Sequence, residues 1–294
     1  MSRVWRTQSI WSQTANALKA SVDRSRSQGL LLGLTAAVLG VGSSQLMPVL
    51  LELGRVTAFL SLVAAALIPY TLRRTSAQRL AEWVRVRSVS EALKSETYLY
   101  LAGLGPYGQD GGADDAAELT RRTRHLLDAA PDLARHTRDI DPVRRELPAV
   151  SGADSYVTGR LASQLDTYYR PKAHAMARKV RTTERAQNGL ALLSAVLAAA
   201  AAAFAVDEAA AWIPVLATAG GAVTAHAAAA NYAYQEMEFS RTAAELDRLI
   251  QQWTDGGRTE EEAQRLAERG EHIISIQNEG WMAKWTVEQG QNQG

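Results

Sequence analysis

Two uncharged, apolar hairpins set in an otherwise charged sequence constrain this chain more than any other feature. The first charge-free window runs from Ser27 to Leu51, and its companion from Val56 to Leu72. Downstream the pattern recurs, from Ala186 to Val206 and, past the acidic pair Asp207 and Glu208, from Ala209 to Gln235. A bilayer's hydrocarbon core takes roughly 20 helical residues to cross, and all four windows approach or exceed that length. They predict an all-α membrane protein, with two transmembrane helical hairpins, at about 29–72 and 187–232, and long cytoplasmic helices forming a helical bundle.

The mean hydropathy of -0.17 conceals this, because polar sequence over more than half the length dilutes the apolar segments. A net charge of +1 leaves no concentrated basic surface of the kind that phosphate backbones require, so nucleic acid is not an expected partner. Absence of cysteine excludes disulfides and thiolate metal sites.

Ahead of the first window, Trp11, Ala15, Leu18 and Val22 recur at steps of four, three and four, with Trp5 and Ile10 before them. This is one face of an amphipathic helix, retained rather than cleaved as a signal. Lys and Arg flank the hairpins asymmetrically. The cluster ending at Arg26 precedes the first span, Arg73, Arg74 and Arg79 follow the second, and Arg178, Lys179, Arg181 and Arg185 precede the third. The connections within the hairpins carry Glu52 with Arg55, and Asp207 with Glu208. The positive-inside rule then puts both termini and the middle region in the cytoplasm, at the inner (plasma) membrane, with two short loops outside.

Between the hairpins, the stretch from Ser76 to Leu101 has neither Gly nor Pro and predicts a rod continuing from the second span. GLGPYGQDGGADD breaks it, Ala116 to Arg145 reads as helix interrupted at Pro131, and a new helix from about Tyr156 carries Leu161, Leu165, Tyr168, Tyr169 and Met176 toward the third span.

Gly29 and Gly33 form a GxxxG pair, and Ala217, Gly221 and Ala225 repeat the small-residue spacing beside Gly220. Such spacing lets helix backbones approach closely, although Ala-rich composition also produces it by chance. His226 either lines a pore or is a neutral imidazole bonded to a neighbouring helix. A faint repeat places Arg87 and Glu91 after the first hairpin and Arg241 and Glu245 after the second, each pair four apart on one helix face. The repeat divides the chain into units at 1–150 and 151–294, each a hairpin with its cytoplasmic helices.

The sequence carries no recognisable set of nucleophile, base or metal ligands. Gly103, Gly105 and Gly108 match GxGxxG literally, but they follow a helix and contain Pro106, which describes a turn. The five histidines lack a metal-ligand spacing, Asp110, Asp114, Asp115 and Glu118 read as a solvated acidic loop, and the acidic run after Thr259 reads as a helix start. Trp253, Trp281 and Trp285 read as helix-packing aromatics. No enzyme activity, cofactor or metal is expected.

The segments RVRSVSEALKSETYLYLAGLGPY, QLDTYYRPKAHAMARKVRTTERAQNGL and RGEHIISIQNEGWMAKW, placed around the two hairpins, resemble the SLATT proteins, SMODS and SLOG associating two-transmembrane effector domains of prokaryotic conflict systems. The chain looks like two such units in tandem. The resemblance implies an antiphage effector that oligomerises and perforates the inner membrane when a nucleotide-second-messenger synthase or SLOG-type sensor signals infection. In such an effector the small-residue spacing makes Gly29, Gly33, Gly220 and Gly221, with His226, the candidates for span packing or a pore, and the repeat makes Arg87, Glu91, Arg241 and Glu245 the candidates for cytoplasmic coupling. The competing expectations are a non-conducting membrane scaffold and a soluble α-helical toxin that keeps its hairpins buried.

Overall fold

The computed structural model describes the backbone of residues 1–73, 75–108, 112–204 and 207–291, and the side chains of these residues other than 72, 207, 208 and 277–291. Arg74, Asp110 and the side chains of Asp207, Glu208, Trp281 and Trp285 therefore lie outside the described residues. The order is α1 (Ser2–Leu46), α2 (Leu51–Arg73), α3 (Ala77–Ala102), α4 (Ala113–Asp128), a 3-10 turn (Pro131–His136), α5 (Ala153–Tyr156), α6 (Arg170–Phe204), α7 (Asp207–Ala210), α8 (Ile213–Ala230), α9 (Tyr232–Asp255) and α10 (Glu260–Gln291). Between α5 and α6 lie two π-helical stretches, Val157–Ala162 and Leu165–Tyr169, so that Ala153–Phe204 is one unbroken helix of 52 residues. Among the described residues there is no strand, and four helices are long and apolar enough to cross a membrane. The protein is an all-α membrane protein.

Two compact units share the chain. The first takes residues 1–20, 77–173 and 237–294, and the second takes residues 21–76 and 174–236. Each draws on both halves of the sequence.

In the first unit α3 is central, with Leu80, Val84, Val86, Leu93 and Thr97 buried. It packs against α10, which buries Leu266, Ala267 and Ile274, and against α4, which buries Leu119. The predicted rod is instead two helices, because α2 ends at Arg73 and α3 begins at Ala77. Thr75 and Ser76 stand at the break, where hydroxyls compete with the helix for backbone partners and Ser favours the residue before a helix start. At its other end α3 stops in a Schellman turn. Gly103 adopts φ 62°, its N–H donates to Tyr100 O, and Leu104 N–H reaches back to Leu99 O at 3.0 Å. The GxGxxG stretch is thus a helix stop with Gly105 also at positive φ.

Residues 137–150 are irregular, where helix was expected as far as Arg145. Side chains of α1 replace helical hydrogen bonds on this segment. Trp5 Nε1 donates to Glu146 O at 2.9 Å, Ser9 Oγ to Val143 O at 3.1 Å and Gln13 Nε2 to Asp141 O at 2.9 Å. Charges on α3 hold the neighbouring helices: Glu96 accepts from Arg122 and Tyr107, Glu82 from Arg135, and Arg85 clamps Asp132. α10 starts in a capping box, with Thr259 Oγ1 accepting from Glu262 N–H and a Glu262 carboxylate oxygen accepting from Thr259 N–H.

In the second unit the first hairpin closes on small and hydroxyl residues. Ser61 Oγ donates to Ala36 O at 2.8 Å, Ser43 Oγ donates to Gly54 O at 2.9 Å, and a Cβ on Gly29 would sit 3.0 Å from Thr71 Oγ1. Interhelical hydrogen bonds and backbone proximity of this kind hold helices together where lipid supplies no hydrophobic drive. In the second hairpin Gln187 Nε2 donates to Thr224 Oγ1 at 2.6 Å. α8 ends at Asn231 in the left-handed conformation, φ 51°, which Asn tolerates better than most residues. Leu31, Phe59, Leu62, Leu192 and Phe204 are each at least 65% exposed, an apolar surface suited to acyl chains rather than water.

Candidate functional site: a buried charge cluster

α3 presents Arg87, Glu91, Lys94 and Tyr98 at steps of four, three and four, which places them on one face. Opposite them, the helix that begins at Ala153 supplies Tyr156 and Arg160, and α10 supplies Glu271. Arg160 is the largest fully buried side chain of the described residues. Its Nε and Nη2 donate to the two Glu271 oxygens at 2.9 and 2.8 Å, and Tyr156 OH donates to Glu271 Oε1 at 2.8 Å. The guanidinium also lies over the Tyr98 ring, 5.4 Å from its centroid. Such a bidentate, charge-assisted pair offsets the desolvation of two ions only because the other lone pairs are also used.

Local backbone makes this approach possible. Arg160 falls within the first π-helical stretch and Tyr168 and Tyr169 within the second; π turns are rare and concentrate where a helix must redirect side chains. Gly270 comes so close to the facing helix that a Cβ there would lie 2.8 Å from Leu161 Cδ2, and one on Gly159 would lie 3.1 Å from Val150 Cγ2. Both glycines adjoin a member of the ion pair.

The cluster holds more charge than it pairs. Glu91 Oε2 lies 3.7 Å from Arg160 Nη1, within ionic reach, yet neither atom has a hydrogen-bond partner. Arg87 stands over the Tyr168 ring at 5.0 Å. Burial by itself would raise the Glu271 pKa, but the charge and hydrogen bonds of Arg160, with those of Tyr156 and Ser95, bring it below the usual range. Lys94 moves the other way. Burial, followed by the nearby Arg160 charge, lowers it to about 8 against the pull of Glu91 and Glu271. The arrangement contains no nucleophile and base in contact, and its chemistry is that of a charged joint between three helices.

Of the residues singled out from sequence, the structure brings Arg87 and Glu91 into this cluster. Arg241 and Glu245 form a surface ion pair at 2.9 Å on α9. Gly29, Gly33, Gly220, Gly221 and His226 belong to the second unit. Gly29 sits at the α1–α2 contact, whereas nothing lies within 4 Å of a Cβ built at Gly33, Gly220 or Gly221. His226 Nε2 is 3.1 Å from Tyr232 OH. Asp115 accepts from Gly108 N–H and Glu118 pairs with Arg121, so these acidic-loop residues have local partners. Arg160, Lys94 and Glu271 were not anticipated as functional. Glu271 lies in the RGEHIISIQNEGW segment, whose Gly-Glu pair was the available signal.

No curated protein and no solved structure matches the chain. Residues 9–114, which contain Glu91, match a family of proteins of unknown function, DUF4231. Residues 156–281, which run from Tyr156 past Arg160 and Glu271, match the family described as SMODS and SLOG-associating 2TM effector domain 1. Over these residues, which are less than half of the chain, it is similar to the two-transmembrane effector domains of that family.

Proposed function

We propose that this membrane effector acts in antiphage defence by self-association and perforation of the inner membrane, with both termini cytoplasmic and with a nucleotide-second-messenger synthase or SLOG-type sensor as its trigger. The chain is then two related units in tandem, 1–150 and 151–294, each carrying one hairpin. The observation that carries this reading is the open space at Gly33, Gly220 and Gly221. Glycines in a span that no helix of the same chain approaches are suited to close contact with another copy. The reading of a soluble toxin with sheathed hairpins fits poorly, since only 6, 11, 0 and 11% of the most apolar windows of the four span helices are buried.

The test combines oligomer size with flux. Reconstituted protein should release a trapped dye from liposomes with a rate that rises faster than linearly with protein density. Gly33→Leu should keep the helical signal and melting temperature while lowering both oligomer size and leakage, because a Cβ at this position meets nothing within 4 Å in one copy. Leakage absent at every density, with activating partner supplied, would leave the non-conducting scaffold instead.

A further inference from the structure

The first unit contains a second feature that the membrane activity does not use. A cavity of about 470 Å³ opens between the first turns of α1 and the irregular segment at 142–147, lined among others by Trp5, Arg6, Val143, Arg144, Arg145 and Leu147. That volume is within the range of about 300–1,000 Å³ usual for small-ligand sites. Three arginines line it, and no Asp or Glu is among the lining residues.

Their charge is not compensated elsewhere. Among the described residues Arg6 and Arg144 have no hydrogen-bonding or ionic partner. Arg145 donates to the neutral amide oxygen of Gln8 at 2.6 Å and stacks 4.6 Å from the Trp5 ring centroid. Burial lowers its pKa, with no carboxylate acting on it. Glu146, next in sequence, offers its backbone carbonyl to Trp5. Three like charges around one cavity repel each other, and an anion in their midst reverses that repulsion. Arginine is also the side chain whose planar fork matches phosphate oxygens in pairs.

The walls are pre-organised and partly apolar. Trp5 is 8% exposed and anchored through its indole N–H, which fixes Arg145 against it. Val143 and Leu147, by contrast, are 54 and 39% exposed at the same cavity, so a ligand with carbon attached to its phosphate would cover surface that water now wets. We infer that the cavity lined by Arg6, Arg144 and Arg145 beside Trp5 is a binding site for a phosphate-bearing anion, either a free phosphorylated molecule or the headgroup of an anionic lipid.

The test is calorimetric titration of the full chain in neutral detergent, in one arm with inorganic pyrophosphate and in the other with a short-chain phosphatidic acid below its micelle concentration. Binding is expected in at least one arm. Arg6→Glu and Arg144→Glu should each weaken it at least tenfold, while Arg124→Glu, an exposed position on α4 outside the cavity, should change it less than twofold. Melting curves should match the parent protein, since Arg6 and Arg144 hold nothing in place; Arg144→Gln replaces either variant that does not fold. Binding of phosphatidic acid at least tenfold tighter than pyrophosphate assigns the lipid source, and comparable or tighter pyrophosphate binding assigns the free one. Absence of binding in both arms, or equal weakening by Arg124→Glu, overturns the site.

Discussion

At the scale of single residues, the charge cluster is an incomplete balance whose members respond differently to removal. Glu271→Ala strands the fully buried Arg160 guanidinium, and breaking one side of a buried pair typically costs about 3–5 kcal/mol. Chemical denaturation should show that loss, whereas the double change Arg160→Met with Glu271→Leu should cost less than the single one, because it removes both ions. Lys94 is a different case. Its folded pKa of about 8 lies below its usual 10.5, so between those values the unfolded chain binds more protons than the folded one. Stability contributed by this group therefore rises with pH from about 8 to 10.5 and is constant below 8. Lys94→Met should be more stable than the parent at pH 7 by about 1–2 kcal/mol, and that advantage should shrink as the pH rises from about 8 to 10.5. A pH-independent difference would mean that the two carboxylates already neutralise the lysine.

Among the elements, α10 against the π-distorted helix is the contact with least room. Gly270→Ala pushes a methyl group to within 2.8 Å of Leu161 Cδ2, on a side chain that is fully buried. Overpacking of that kind costs about 1–3 kcal/mol, and amide exchange in α10 should speed up before that in α4. The same comparison separates the two glycines of the first hairpin: Gly29→Leu should weaken the α1–α2 pair itself, since Thr71 stands against it, while Gly33→Leu should not. Elements of this kind were unevenly legible in the sequence. The four helices long and apolar enough to cross a membrane were readable because length and lack of charge are local properties. The break at Thr75 and Ser76 was not, because hydroxyls compete locally with the helix for backbone partners, and neither was the irregular course of 137–150, whose carbonyls are bonded by α1 side chains 134 and 128 residues away. Arg87 and Glu91 were found through their repeat spacing. Arg160, the cation facing Glu91, was not, since it meets Glu271 from 111 residues away, inside a π turn that no periodicity announces. The matching pair Arg241 and Glu245 shows the limit of the repeat, with the same spacing and a solvent-exposed bridge.

For the whole molecule, interleaving of the two halves changes what a truncation can do. The first unit takes α3 and α4 from one half and α10 from the other, and Arg160 and Glu271 of the second half meet Glu91 of the first. A piece ending at residue 150 leaves Glu91 without its cationic neighbour and α3 without α10, so it should be proteolysed or aggregate where the full chain is stable. Topology can be tested without that damage, because the chain has no cysteine and every introduced thiol is a unique label. Lys and Arg gather before the first and third spans and after the second, and insertion follows such asymmetry because cationic loops resist translocation. Val49, in the turn between α1 and α2, is 79% exposed, and Ser151 lies exposed in the segment between the hairpins. In intact spheroplasts a membrane-impermeant maleimide should label Val49→Cys and leave Ser151→Cys unmodified until the membrane is permeabilised. Labelling of both from outside would mean that the hairpins do not cross in the order their flanking charges dictate, and the opposite pattern would invert the protein.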